Sequence, residues 1–179
     1  MADTTATTIL FYYHEQDNYV LSNFYPHVPG KKLRSLNITY LGRSFPTSEH
    51  LYQALKFQWE TVEELEWLEL IRAATTPGIA KHLGHQLATR RWKWQQNASD
   101  LVAKYRDKVR LAGSVTDDVF RPSIMRLAVR ARYQCDTEFA TALASTYPHK
   151  LMEDSNDDWG HKKGWLGAVL QEVRDENRS

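Results

Sequence analysis

Two short runs near the start of the chain carry the pattern of strands. Thr8–Tyr13 (TILFYY) and Leu36–Leu41 (LNITYL) are rich in β-branched and aromatic residues, which suit a pleated, half-buried surface. Between them Pro26, Pro29 and Gly30 mark a loop. The period then lengthens to that of a helix. Near Ser48 begins what reads as the first long helix, with Thr47 or Ser44 as its cap and Pro46 at its start. At about 100° per residue, Glu49, Tyr52, Gln53 and Lys56 share one stripe of it, and Leu51, Ala54 and Leu55 lie opposite. Thr61–Ala74 reads as a second helix with Val62, Leu65, Leu68 and Ile71 on its apolar side, and Pro77 opens a third.

Four further helices are expected, over residues 98–112, 123–135, 136–147 and 166–176, with a strand in KLMED at 150–154. The fold class is therefore α+β and predominantly α-helical, one compact domain over residues 8–176 with a small N-terminal β element. Residues 1–7 are expected to be a flexible lead. The length of 179 residues suits one domain with a substantial core.

Composition narrows the class. Hydrophobic residues at 42% and charged residues at 25% are ordinary for a globular chain. Six Trp and nine Tyr can fill a core or stack on a flat ring. No apolar run approaches the roughly 20 residues that span a bilayer, and the start shows no basic and apolar secretion signal. The single Cys135 excludes an intramolecular disulfide and a multi-cysteine zinc site, so an intracellular, reducing setting is expected, with no membrane partner. The net charge of +1 hides an uneven spread: Ile79–Arg132 holds twelve Lys/Arg against four Asp/Glu. That segment is either a surface for a phosphate-bearing partner, such as DNA or RNA, or a set of solvated helix faces.

The candidate chemistry sits in three stretches. The stripe from Glu49 to Lys56 can bracket a polar ligand with a carboxylate and an ammonium, or it can be a solvated face with Glu49 favourable at the helix N-terminus. LSNF, at Leu21–Phe24, places Ser22 and Asn23 between apolar residues, either presenting Asn23 inward or making an ordinary turn bond. In Leu151–Gly167, four acids, two Trp and three Gly crowd one loop. A calcium loop would need Gly at the sixth position and Glu at the twelfth. Counted from Asp154, those positions hold Trp159 and Trp165, so Asp158 and Trp159 are read instead as a holder of a sugar edge and a stacking ring. His82 and His85 lack a third ligand, and neither a metal nor another cofactor is expected. Cys135 reads as core rather than nucleophile.

Taken together, LSNFYP (21–26), FPTSEHLYQALKF (45–57), AATTPGIAKHLG (73–84), IMRLAVRARY (124–133) and LMEDSNDDWG with its later LG (151–167) resemble, in order, the signature blocks of the NADAR, or YbiA-like, family. The resemblance implies a compact, mainly α fold and N-glycosidase activity on ribosyl compounds. Substrates in that family include phosphoribosylated riboflavin-pathway intermediates and ADP-ribose attached to nucleobases, notably guanine. It places Glu49 at the family's essential glutamate, and Asn23, Lys56, Asp158, Trp159 and Gly160 in its pocket-lining blocks. The chain departs from the family at Tyr147, at Trp165, where an Asn is usual, and at Asp117, where an aromatic is. Its central region is also longer. These departures bear on the aglycone more than on the glycosidic bond.

From this follows an expected chemistry. An N-ribosyl bond breaks through an oxocarbenium-like sugar, which needs negative charge near C1′ and a proton on the leaving base. Glu49 is expected to steady that cation or to deprotonate water, with Asp158 as second carboxylate. Lys56 either binds an anion or hydroxyl or attacks an opened aldehyde as an amine. Trp159 would stack on the base or adenine, Arg43 and Arg126 would meet phosphates, and Ser22, Phe24, Tyr52, Gln53 and Gly160 would line the pocket. Two rival classes stay open: a module that binds ADP-ribose or NAD without cutting, and a nucleic-acid-binding protein that uses the basic middle. Self-association is not legible in the sequence.

Overall fold

The structure, a computed structural model, describes residues 7–89 and 96–178. The expected flexible lead falls almost wholly outside them. So do the arginines and tryptophans of RRWKW at 90–94. Thr7, the first described residue, already accepts a hydrogen bond from the Lys150 N–H at 3.0 Å.

Two strand pairs frame the helices. β1 (Thr8–Phe11) runs parallel to β4 (Lys150–Glu153), with Phe11 opposite Glu153, so the first strand pairs with the last. β2 (Ile38–Tyr40) and β3 (Arg43–Phe45) form an antiparallel hairpin. The sequence reading carried β2 on through Leu41 and left β3 unassigned. Leu41 and Gly42 instead make the two-residue turn, both at positive φ (47° and 74°), as a hairpin turn matched to strand twist requires.

Buried at the centre is α1 (Ser48–Ala54), short at seven residues and covered on every side. It starts where expected: the Thr47 side chain accepts the His50 N–H. The His50 ring then bridges the Thr47 hydroxyl at 2.8 Å and the Ala74 carbonyl at 3.0 Å. A carbonyl only accepts, so Nε2 carries the hydrogen and the ring is neutral. Burial pushes the His50 pKa down to about 4, against the opposing Ala74 hydrogen bond.

The helix ends earlier than its pattern implies, because the following residues find other backbone partners. Phe57 bridges to Leu111, the Lys56 carbonyl accepts the Ala112 N–H at 2.8 Å, and the Trp59 indole joins the Phe57 N–H on the Ala54 carbonyl, at 3.1 Å each. Lys56 therefore stands just past the helix.

α2 (Val62–Arg72) begins with a reciprocal cap between Thr61 and Glu64. Its inward residues include Trp67, Leu68 and Ile71, while Val62, expected on the apolar side, is first-turn and exposed. α3 (Pro77–Thr89) and α4 (Gln96–Tyr105) follow, then α5 (Phe120–Cys135), α6 (Thr137–Ser145) and α7 (Trp165–Glu176). α1 packs on α3 and α5, α5 on α7, and α7 on β4. Cys135 is not in the core. Ala128, Val129, Ala131 and Arg132 take the inward face of α5, and Cys135 is exposed at its last turn. Partial cover of its sulfur raises its pKa.

Among the described residues, four cations of the middle segment are met by acids from elsewhere. Arg110 pairs with Glu60 and Glu64, Lys104 with Glu66, Arg126 with Glu172 and Arg130 with Glu176. Among the described residues no helix is long and apolar enough to cross a membrane.

Candidate active site

The stripe of α1 opens onto a cleft of about 360 Å³, at the small end for a ligand pocket. Glu49, Tyr52, Gln53 and Lys56 all line it, and they are only 4%, 3%, 2% and 7% exposed. The polar stripe is thus neither solvated nor core. Its side chains are chained together: the Gln53 amide donates to Glu49 Oε1 at 2.6 Å, and Lys56 Nζ donates to Gln53 Oε1 at 2.6 Å. Lys56 Nζ also stands 4.7 Å from the centre of the Tyr52 ring. Burial pushes the Lys56 pKa down to about 8, with the positive charges of Arg121 and Lys81 acting the same way and Glu49 opposing. An ordinary lysine titrates far above neutrality, so this ammonium is held at a cost.

A second wall comes from Tyr12, after β1, and from the loop after β4. In β4, Leu151 and Glu153 both point inward, as alternate residues of a strand must. Glu153 is 5% exposed and lines the cleft. Burial pushes its pKa up to about 7, helped by the charges of Asp157 and Glu49 and opposed by the Ser155 hydrogen bond and by Lys81. Asp157 Oδ1 accepts the N–H groups of Trp159 at 2.9 Å and Gly160 at 3.3 Å. Burial works against the Asp157 carboxylate, but these bonds and the Ser155 contact hold its pKa below the usual range. Shifted groups of this kind cluster at functional sites, which makes the cleft the candidate site.

Trp159 lies edge-on to Tyr52 at 5.2 Å and to Trp165 at 5.4 Å. Arg121 sits over the Trp165 ring at 4.7 Å and pairs with Asp158 at 3.3 Å. Asn23 is buried on the cleft wall. Its carbonyl accepts the Glu49 N–H at 3.2 Å and its amide reaches Met125 Sδ at 3.1 Å. The LSNF loop is held from behind by buried Arg132, which donates to the Ser22 carbonyl at 3.0 Å.

Of the residues singled out from the sequence, the structure brings Asn23, Phe24, Glu49, Tyr52, Gln53, Lys56, Asp158 and Trp159 to one cleft. Four others stand elsewhere. Ser22 is buried behind the loop, its hydroxyl accepting the Phe24 N–H. Gly160 lies under the acidic loop, where a Cβ would come within 2.4 Å of the Glu153 carbonyl. Arg43 is paired with Glu69, and Arg126 with Glu172. Neither of these two expected phosphate cations lines the cleft, and each is paired with an acid outside it.

The sequence reading missed Tyr12, Lys81, Arg121, Glu153, Asp157 and Lys162 among the lining residues. Lys81 had a signal in its AKHLG block, and Glu153 had one in the alternation of its strand. Among the described residues no cluster of three or more His, Cys, Asp or Glu is placed to hold a metal ion.

Comparison with known proteins fits this geometry. The NADAR domain family matches residues 10–178. The N-glycosidase YbiA of Escherichia coli strain K12 is 29% identical over 177 residues, covering 94% of this chain and 88% of that protein, and its Shigella boydii counterpart matches to the same extent. A riboflavin biosynthesis protein of Vibrio vulnificus is 28% identical over 175 residues, covering 94% of this chain but 38% of the larger protein. The NMR structure of E. coli YbiA superposes with a TM-score of 0.60 at 26% identity, covering 96% of this chain and 84% of that one. A match over nearly the whole length, in sequence and in fold, decides the assignment: the chain belongs to the NADAR domain family.

Proposed function

We propose that the protein is an N-glycosidase that hydrolyses the bond between ribose C1′ and a base nitrogen, removing ADP-ribose from ADP-ribosylated guanine in a nucleoside, DNA or RNA. The observation that carries this reading is Glu49. Its carboxyl is buried in a cleft, fixed by Gln53, in a family whose named relatives include N-glycosidases.

Positive charge builds on the sugar as the base departs, and a fixed carboxylate beside C1′ lowers that barrier most when water is excluded. Glu49 has the burial and the fixed orientation for that role, or for taking a proton from the attacking water. Trp159 supplies a face for a base. Lys81 and Lys162, exposed on the cleft lining, replace Arg43 and Arg126 as partners for phosphate.

Lys56 has two uses. It can hold a hydroxyl or phosphate, or as a neutral amine it can attack C1′ as the C1′–N bond breaks and the base leaves, giving up a proton; the sugar ring then opens to an imine that water hydrolyses to the free sugar and the free amine. Its burial and its pKa of about 8 favour the amine role, since only the neutral form attacks.

A second substrate reading, a phosphoribosylaminopyrimidine of riboflavin synthesis, is favoured by the Vibrio vulnificus relative's name and by the modest volume of the cleft. A module that binds ADP-ribose or NAD without cutting remains the rival, as does a nucleic-acid surface on the basic middle. Incubation with ADP-ribosylated DNA, ADP-ribosyl-guanosine and a phosphoribosylaminopyrimidine, with released sugar measured, separates them. Binding without release from any of the three would contradict the enzyme reading.

A further inference from the structure

The departing base needs a proton, and Asp158, the expected second carboxylate, is held by cations. It pairs with Arg121 at 3.3 Å and lies 3.9 Å from Lys163 Nζ.

Glu153 is in the opposite situation. The Ser155 hydroxyl lies 3.0 Å from Glu153 Oε2 and 2.9 Å from Asp157 Oδ1. A hydroxyl has one hydrogen. Two full hydrogen bonds, rather than one hydrogen shared between two acceptors, require that one carboxyl supply a second hydrogen. Asp157 Oδ1 already accepts two backbone N–H groups and is held as the anion. The remaining hydrogen therefore belongs on Glu153, which donates to Ser155, which donates to Asp157.

Resting on the N-glycosidase reading above, we propose that Glu153 enters the reaction as a neutral carboxyl and is the acid that protonates the base nitrogen. The C1′–N bond breaks with its electron pair going to the base, and that nitrogen takes the Glu153 proton. Water adds to C1′ and its proton passes to the Glu49 carboxylate. Return of a proton from Glu49 to Glu153, directly or through solvent, restores both groups. If Lys56 attacks instead of water, the base still leaves with the Glu153 proton.

The charged and titratable groups that face Glu153 are Glu49 from α1, Lys81 from α3, Tyr12 after β1, and Asp157 in its own loop. Burial and the two carboxylates outweigh the Ser155 contact and Lys81 and keep the proton on Glu153 to about pH 7, where a general acid works best.

The test compares two leaving groups on one sugar. Wild type and Glu153→Gln are assayed on the N-ribosyl substrate that the protein turns over and on the 4-nitrophenyl glycoside of the same sugar, whose phenolate departs without a proton. Glu153→Gln is expected to lose about 100-fold or more in kcat on the first and less than about 5-fold on the second. Equal losses on both would overturn the proposal and leave the N-glycosidase reading standing. A wild type that releases base from no N-ribosyl compound would remove that reading, and the proposal with it.

The wild-type pH profile gives an answer that does not depend on the variant's folding. On the N-ribosyl substrate kcat should fall above about pH 7, with no such fall on the nitrophenyl glycoside. The same alkaline limb on both substrates, or on neither, would overturn the proposal.

Discussion

Gly84 of α3 lies so close to Gln53 of α1 that a Cβ on it would stand 2.2 Å from Gln53 Oε1 and 2.9 Å from Gln53 Cβ. The helices meet at this point because one of them has no side chain. Gln53 is also the link between Glu49 and Lys56. Gly84→Ala is therefore expected to displace the Gln53 amide and break that chain. We expect kcat to fall about 10-fold or more from misplacement alone, with an alanine-sized overpacking cost of about 1 to 3 kcal/mol. Steady-state kinetics beside denaturant melts would check this. Wild-type turnover in the variant would mean that the Gln53 link does not position the site.

His50 and Glu153 give stability opposite pH dependences. For His50 the folded pKa of about 4 lies below the ordinary 6.5, so between these values the unfolded chain binds the extra proton. Its contribution is complete above pH 6.5 and is lost as pH falls toward 4, about 3 kcal/mol in all. For Glu153 the folded pKa of about 7 lies above 4.5, so the folded chain binds the extra proton and stability falls as pH rises from 4.5 through 7. Glu153→Gln is expected to be more stable than wild type at pH 8, by up to about 3 kcal/mol, and not at pH 4. Urea midpoints at pH 4, 6 and 8 would show both. Identical pH dependence in wild type and Glu153→Gln would contradict the buried, protonated carboxyl.

The hairpin turn offers an independent check on the fold. Leu41 takes a left-handed backbone conformation at φ 47° with its side chain largely in solvent. Leu41→Asn creates the Asn-Gly pair that such turns favour. It should raise stability by about 0.5 to 1 kcal/mol without changing kcat. A destabilised variant would mean that the turn is misassigned.

Lys56 can be caught in the act. Borohydride added during turnover of an ADP-ribosyl substrate is expected to reduce an imine on Lys56, leaving a sugar adduct visible by mass spectrometry, and Lys56→Met should leave none. Adduct-free protein under full turnover would return Lys56 to the role of binding an anion or hydroxyl.

Much of the site was written in the helical spacing of one stretch. Glu49, Tyr52, Gln53 and Lys56 share a stripe whatever the length of α1, so they could be grouped without knowing that Phe57 leaves the helix to meet Leu111. The acidic loop was harder. Four acids within six residues offer no periodicity of their own, and only the inward face of β4, shared by Leu151 and Glu153, tells which acid is buried.

Charge was the least legible. Arg43, Arg126, Lys81 and Arg121 are alike as cations in a sequence. Glu69 and Glu172, distant in the chain, remove the first two to other faces, and this is a property of the tertiary arrangement. Cys135 shows the same limit, since an apolar neighbourhood in sequence did not place it inward.

The most direct measurement concerns Glu49→Gln, which keeps the shape of the side chain and removes its charge. With ADP-ribosylated guanosine under single-turnover conditions, the variant is expected to release ADP-ribose about 1,000-fold more slowly than wild type while still binding the substrate. Release at the wild-type rate would show that this carboxylate does not steady the ribosyl cation.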